Sequence, residues 1–332
     1  MIKRFWPCLI LIASILHNAQ ASLAADEANK TNDPVAITPP SEMVPDNLIW
    51  LDNGAKDPRY IFIADKENRT LTVWEHDSRD FKLYGAYPMD IGKNVGDKVA
   101  PGDAKTPEGT YFVQERLEGA SLNFSDYGTL AFTLDYPNYF DKLARKSGSG
   151  IWLHAIPESK SLLRGSRGCV VVRNEIIQKL APLITPKKTP VIIVNKVNYV
   201  TKEQLEASRN LFADWINDWK VAWQSKNIDA YIGHYADSFK TELKALKMNK
   251  SKWREYKNFL NKKYAHIAVE VNEPVILARK DEAIIRFRQN YESDGLKDVG
   301  EKTLFLKKGA NNKYEILTEI WQPEATDTKA KN

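Results

Sequence analysis

Gly150-Ile151-Trp152-Leu153-His154, followed by Ser166-Arg167-Gly168-Cys169, is the stretch on which the reading of this chain turns. An apolar, strand-like run ends on a histidine, and a glycine precedes a cysteine a short distance further on. Glycine lets the backbone approach closely and aim amide groups at one point, as an oxyanion site requires. A histidine at the end of a rigid strand can reach a thiol on a neighbouring segment. A nucleophilic cysteine needs a lowered pKa, a base within reach and backbone donors, and on that reading Cys169 alkylates faster than a free thiol at neutral pH. A core cysteine and a surface histidine are the plain alternative, because sequence separation does not prove contact.

Cys169 is also alone. The other cysteine, Cys8, lies in the apolar run Phe5 to Leu16, which follows Lys3 and Arg4 and precedes the small-x-small site Ala19-Gln20-Ala21. This is the layout of a secretion signal over 1–21, too short to span a bilayer comfortably, so the expected product is exported and keeps one cysteine and no disulfide. No other uncharged stretch approaches the length of a membrane helix. Removing the signal takes two cations and no acid from a formal +5, leaving about +3. That modest charge argues against a nucleic-acid binder with a concentrated basic face.

Residues 22–47 carry no apolar period and are expected to form a flexible leader. A domain is expected over 48–198. Ile61 and Ile63 alternate, Asp65 to Arg69 supply a turn, and Leu71 and Val73 alternate again, which predicts a hairpin. Short strands are expected at 110–114, 129–134, 151–154, 170–172 and 190–194, with a helix over 174–183. The texture changes near Thr201. Trp215, Trp219 and Trp223 fall on one helical face beside Leu211 and Phe212, more in the manner of a core stripe than of a ligand platform. A second helical stretch carries Ile228 to Phe239, and alternating strands follow from Ile267 to Trp321. The second unit is therefore α+β, over 203–323, with a polar tail over 324–332.

The separated motifs Gly96-Asp97-Lys98, Pro101-Gly102-Asp103, Lys105-Thr106-Pro107-Glu108-Gly109, Leu134-Asp135-Tyr136-Pro137-Asn138 and the two stretches quoted first resemble, in this order, the L,D-transpeptidase (YkuD) catalytic domain. The resemblance covers about 58 to 196. It implies a mainly-β domain and a cysteine acyl-transfer enzyme acting on peptidoglycan stem peptides, between the L-centre of the third residue and D-alanine. By motif position it implies Cys169 as nucleophile, His154 as general base and later acid, the Ala155 carbonyl orienting the imidazole, and amides around Gly168 and Cys169 holding the oxyanion. Two positions depart from the family pattern: Ala155 where glycine is common, and Arg167 where histidine often stands. A guanidinium suits a carboxylate, so Arg167 is a candidate substrate clamp, with a surface ion pair as the alternative. Ser166 either contacts substrate or closes the turn, and Tyr136 is a candidate pocket wall. No metal site and no nucleotide cofactor are indicated.

The second unit resembles the NTF2-like fold, helices on a bent antiparallel sheet, and such domains often dimerise, so the resemblance offers a homodimer through this unit as an expectation. The combination is similar to cell-shape-determining murein L,D-carboxypeptidases, which implies a periplasmic enzyme whose acyl acceptor is water or an amine. The competing readings are a non-catalytic wall-binding module and an amidase releasing a wall-linked lipoprotein.

Overall fold

The structure is a computed structural model and describes residues 33–51, 59–77, 80–163, 165–243 and 246–324. The expected secretion signal, residues 22–32 of the leader and the tail beyond 324 lie outside the described residues. The strands are β1 (Met43–Pro45), β2 (Leu48–Leu51), β3 (Tyr60–Asp65), β4 (Thr70–Asp77), β5 (Asp80–Pro88), β6 (Gly109–Glu118), β7 (Leu130–Leu134), β8 (Trp152–Ile156), β9 (Val170–Arg173), β10 (Pro190–Val194) and β11 (Tyr199–Thr201). Between them lie α1 (Phe124–Tyr127), α2 (Tyr139–Leu143) and α3 (Asn174–Leu180).

The alternation over Tyr60–Asp65 places successive side chains in two different cores. Ile61 and Ile63 pack into one and Phe62 and Ala64 into the other, so β3 is buried on both faces and reads as a continuous apolar run. It sits inside an eight-stranded sheet of order β5-β4-β3-β10-β6-β7-β8-β9. Its pairings are antiparallel except β3 with β10 and β8 with β9. One face is closed by the domain's own core, including Ile177 and Leu180 of α3. The other lies against the C-terminal unit.

That unit begins with α4 (Lys202–Gln224), started by a capping box in which Thr201 and Gln204 satisfy each other's backbone amides. Its buried stripe contains Phe212, Ile216, Trp219 and Trp223, while Leu211 faces outward at 55% exposure. Trp219 and Trp223 are core residues, and half-buried Trp215 donates through Nε1 to the Tyr314 carbonyl. Helices α5 (Ile228–Gly233) and α6 (Lys250–Lys263) follow, with the hairpin β12 (Lys240–Leu243) and β13 (Leu246–Asn249) between them. The main sheet is β14 (Ile267–Arg279), β15 (Glu282–Ser293), β16 (Leu296–Lys308) and β17 (Tyr314–Pro323), antiparallel throughout. Register shifts at Asn272/Val275 and Phe305/Leu306 bend it around the aromatic core. The helical stretch expected to reach Phe239 stops at Gly233, although Tyr235 and Phe239 are fully buried.

The flexible leader is corrected at its C-terminal end. Met43–Pro45 pairs with β11, and Val44 is buried. The domain boundary at 48 also moves, because Leu48–Leu51 is not a strand of the first domain: it forms the outer strand of the second sheet, paired with β14. Apolar groups of two to four residues are too short to show a period, so tertiary pairing decides their state.

The two units share a packed boundary. Tyr139 of α2 lies 5.2 Å from Phe305 and donates its hydroxyl to the Leu317 carbonyl. Arg286 of β15 stacks 3.6 Å over the Phe112 ring and donates to the Lys187 carbonyl.

Candidate active site

Parallel pairing of β8 with β9 sets Leu153 opposite Val170 and His154 opposite Val171, which brings His154 and Cys169 to the same end of neighbouring strands. Both side chains line one cavity of about 700 Å3. The His154 ring nitrogen Nδ1 lies 2.7 Å from the Ala155 carbonyl oxygen. A carbonyl only accepts, so Nδ1 carries the proton and Nε2 holds the lone pair of the neutral ring. Burial holds the imidazole down to about 4, against the Ala155 bond and the carboxylates of Asp90 and Asp126, which raise it. The ring is neutral at physiological pH. Tyr127 packs against it at 5.1 Å in an edge-to-face contact and leans on Trp152 at 4.7 Å, so the imidazole is fixed on two sides. Sequence reasoning missed Tyr127; its signal is Asn123, whose side chain caps the short α1 that presents it.

Cys169 is 8% exposed, and its thiol donates to the Gly150 carbonyl at 3.5 Å. Burial pushes this thiol up to about 11, opposed by a hydrogen bond from the Trp152 backbone amide and by the charges of Arg167 and Lys98. The expectation of a lowered thiol pKa is thereby corrected. In the resting site both partners are neutral, and the thiol proton has to move to Nε2 as sulfur attacks. Alkylation by iodoacetamide is accordingly expected to be slower than for a free thiol at neutral pH and to rise about tenfold per pH unit to beyond pH 9, since only thiolate reacts. A rate that is already flat near pH 7 indicates a resting thiolate–imidazolium pair and contradicts this reading.

The turn before the nucleophile is built from its own residues. Gly168 has φ +132°, and a Cβ there would lie 2.6 Å from the Lys105 carbonyl oxygen, so only glycine fits. The Ser166 hydroxyl donates to the Cys169 carbonyl at 2.9 Å and accepts the Gly168 amide at 3.1 Å. Ser166 thus closes the turn. The Gly168 amide is engaged there, which corrects the expectation of a free oxyanion donor at that residue. Arg167 is exposed at the cavity rim and has no ion pair among the described residues, so the surface-pair alternative is not what the structure shows. Tyr136 is corrected from pocket wall to core residue: it is 5% exposed, packs on Tyr111 and does not line the cavity. Its hydroxyl donates to the Ser147 carbonyl, just ahead of the cavity-lining Gly148 to Gly150.

The segment from Pro157 to Leu162 contributes to one wall and rests on Arg173. That buried guanidinium donates to the carbonyls of Lys160 and Pro157 and pairs through two nitrogens with Asp33, whose carboxylate also accepts the Leu162 amide. On the other side, Asp90 exchanges backbone bonds with Val171 and takes Arg69 and the Gly165 amide on its carboxylate.

Comparison with known proteins matches residues 58–193 to the L,D-transpeptidase catalytic domain and residues 211–320 to the Cds6 C-terminal NTF2-like domain. Among solved structures, Bd1075 of Bdellovibrio bacteriovorus is 41% identical, with a TM-score of 0.77 over 85% of this chain and 99% of that one. The chain belongs to the L,D-transpeptidase family. The helical cell shape determining protein Pgp2 from Campylobacter jejuni is 24% identical, with a TM-score of 0.63 over 82% of this chain and 94% of that one, and shares the fold. The search of curated proteins finds no match. As an L,D-transpeptidase family member with an NTF2-like domain, the chain has a role in peptidoglycan processing.

Proposed function

We propose that the protein is a periplasmic cysteine acyl-transfer enzyme that cleaves the bond between the L-centre of the third stem residue and D-alanine. The observation that supports this is one cavity lined by both Cys169 and a histidine whose Nδ1 is tied to Ala155, which leaves Nε2 to serve as the base. Sγ attacks the carbonyl carbon while its proton passes to Nε2. The C–N bond then breaks, Nε2 returns that proton to the leaving amine of D-alanine, and a thioester remains on Cys169. Water gives carboxypeptidase action, with Nε2 taking its proton and the thiol reforming; an amine of a second stem gives transpeptidase action. The Trp152 amide and the Arg167 and Lys98 charges favour the developing thiolate.

Arg167, which has no ion pair among the described residues, supports water as acceptor, because a guanidinium at the rim suits the free carboxylate of a terminal D-alanine. Bd1075 and Pgp2 join similar domains, and the role named for Pgp2, determining cell shape, is the one we carry to this chain. Intact mass after incubation with a carbapenem or a stem tetrapeptide tests the acyl-enzyme: one equivalent on Cys169 is expected, and an unmodified protein contradicts it. Arg167→Lys is expected to weaken use of the free-acid tetrapeptide by roughly threefold to tenfold, a modest loss because the site is exposed, and to leave a carboxamide-terminated stem unaffected. Equal preference for the two stems in both proteins removes the clamp.

A further inference from the structure

Residues 240–263, which form the hairpin β12–β13 and helix α6, hold nine lysine and arginine residues and two acids. That is a net +7 against a formal +5 for the whole chain, so all other residues together sum to −2. The modest total conceals one strongly basic segment. Three of its cations are already engaged. Lys257 turns inward, its ammonium 3.8 Å from the centre of the Trp223 ring, and Lys250 and Arg254 are held by Asp237 and Asp229. Lys240, Lys247, Lys252, Lys262 and Lys263 are exposed and have no ion pair among the described residues. Helical periodicity sets their arrangement on α6: buried Trp253 and Lys257, four residues apart, fix its inward face, so Lys252, Phe259 and Lys263 fall on the outward one. Phe259 is 60% exposed there, two turns on from Lys252 and one turn before Lys263. The one acid of the helix, Glu255, accepts from the Ser251 hydroxyl. Lys252 also joins Lys240 and Lys247 around a cavity of about 430 Å3 at the hairpin, in which Glu242 is the single acid. Leu246, beside Lys247, is 63% exposed.

We propose that this face is a docking surface for an anionic phospholipid bilayer, with the lysines at the headgroup phosphates and Phe259 entering the interfacial layer. Charge complementarity selects an anionic partner, and two features select a lipid surface over an acidic polymer or protein. Eight of the nine cations are lysine, and the one arginine is spent on Asp229. Lysine is a flexible point charge that suits a diffuse field, whereas the arginine fork suits one fixed carboxylate or phosphate. The second feature is the phenylalanine seated in the row of lysines. A hydrated polymer gives such a ring nothing to enter, while the boundary between headgroups and acyl chains takes an apolar side chain flanked by cations. Docking of this kind concerns where the chain is held and stands apart from what Cys169 does.

The test uses the expected exported product, residues 22–332, because the apolar run at 5–16 would bind lipid by itself. Vesicles of equal parts phosphatidylglycerol and phosphatidylcholine are compared with vesicles of phosphatidylcholine alone. Co-sedimentation is expected to be about a hundredfold tighter with the mixed vesicles and to weaken as salt rises. Lys247→Gln and Lys252→Gln are each expected to weaken it about fivefold, the loss of one lysine near an anionic surface. Lys202→Gln combined with Lys297→Gln removes two exposed charges elsewhere and is expected to change it by at most about twofold. Phe259→Ser is expected to weaken binding about tenfold while the salt dependence keeps its slope. All of these side chains are exposed, so the fold is kept. Equal binding to both vesicle types overturns the docking surface, as does a Lys202 and Lys297 variant that loses as much as the Lys247 and Lys252 variants. Sedimentation with purified peptidoglycan sacculi but with neither vesicle assigns the lysines to the wall polymer and equally overturns it.

Discussion

Replacing His154 by alanine lowers turnover of a stem tetrapeptide by about 10²- to 10⁴-fold while its binding stays within a few-fold. The imidazole is buried and its Nδ1 is occupied by the Ala155 carbonyl, so it offers the substrate little beyond Nε2. The loss therefore falls on kcat. Because the resting thiol is neutral, the variant cannot fall back on a thiolate already formed, and the missing base is felt in full. Single-turnover acylation followed by intact mass separates the steps. Near-normal acylation in His154→Ala removes this residue from the mechanism.

Asp33→Ala is expected to destabilise the protein by about 3 kcal/mol, measured as a lower midpoint in urea unfolding. The carboxylate neutralises Arg173, which is 2% exposed, and removing it leaves a buried cation with only the carbonyls of Pro157 and Lys160. Those carbonyls soften the loss without cancelling it. The double variant Asp33→Ala with Arg173→Ala is expected to be more stable than the sum of the two single losses, since it removes the orphaned charge as well. Strict additivity contradicts a coupled pair. Activity is expected to fall alongside stability, because the same pair supports the loop carrying Lys160 and the turn into Cys169.

The β3–β4 hairpin was legible because alternation and a five-residue polar turn are local signals. So was the convergence of His154 and Cys169, through motifs whose order matches a family. The pKa directions were not. A glycine, a nearby cation and a histidine all argue for a reactive thiolate, but burial is set by the whole fold and outweighs them at both Cys169 and His154. Ser166 admitted two roles from its type alone, and only the position of its hydroxyl between Gly168 and Cys169 chooses the turn. Tyr136 carried an aromatic's usual ambiguity and was resolved by packing. The ion pair of Asp126 with Lys160 joins a short helix to a loop 34 residues away, so nothing in the sequence brings the two together.

The placement of β2 has a consequence for the order in which the molecule assembles. Asn47, beside that strand, bonds to Ala278, 231 residues away along the chain, and the whole first domain lies between the two partners. The entropy of closing so long a loop grows only slowly with length, but no part of it is recovered until the second sheet exists to receive the strand. Docking of Leu48–Leu51 is then a late event in folding, and until it happens one edge of β14 stays open to strands from other chains. A fragment beginning near Thr201 carries that open edge permanently, so it is expected to self-associate where the full chain does not.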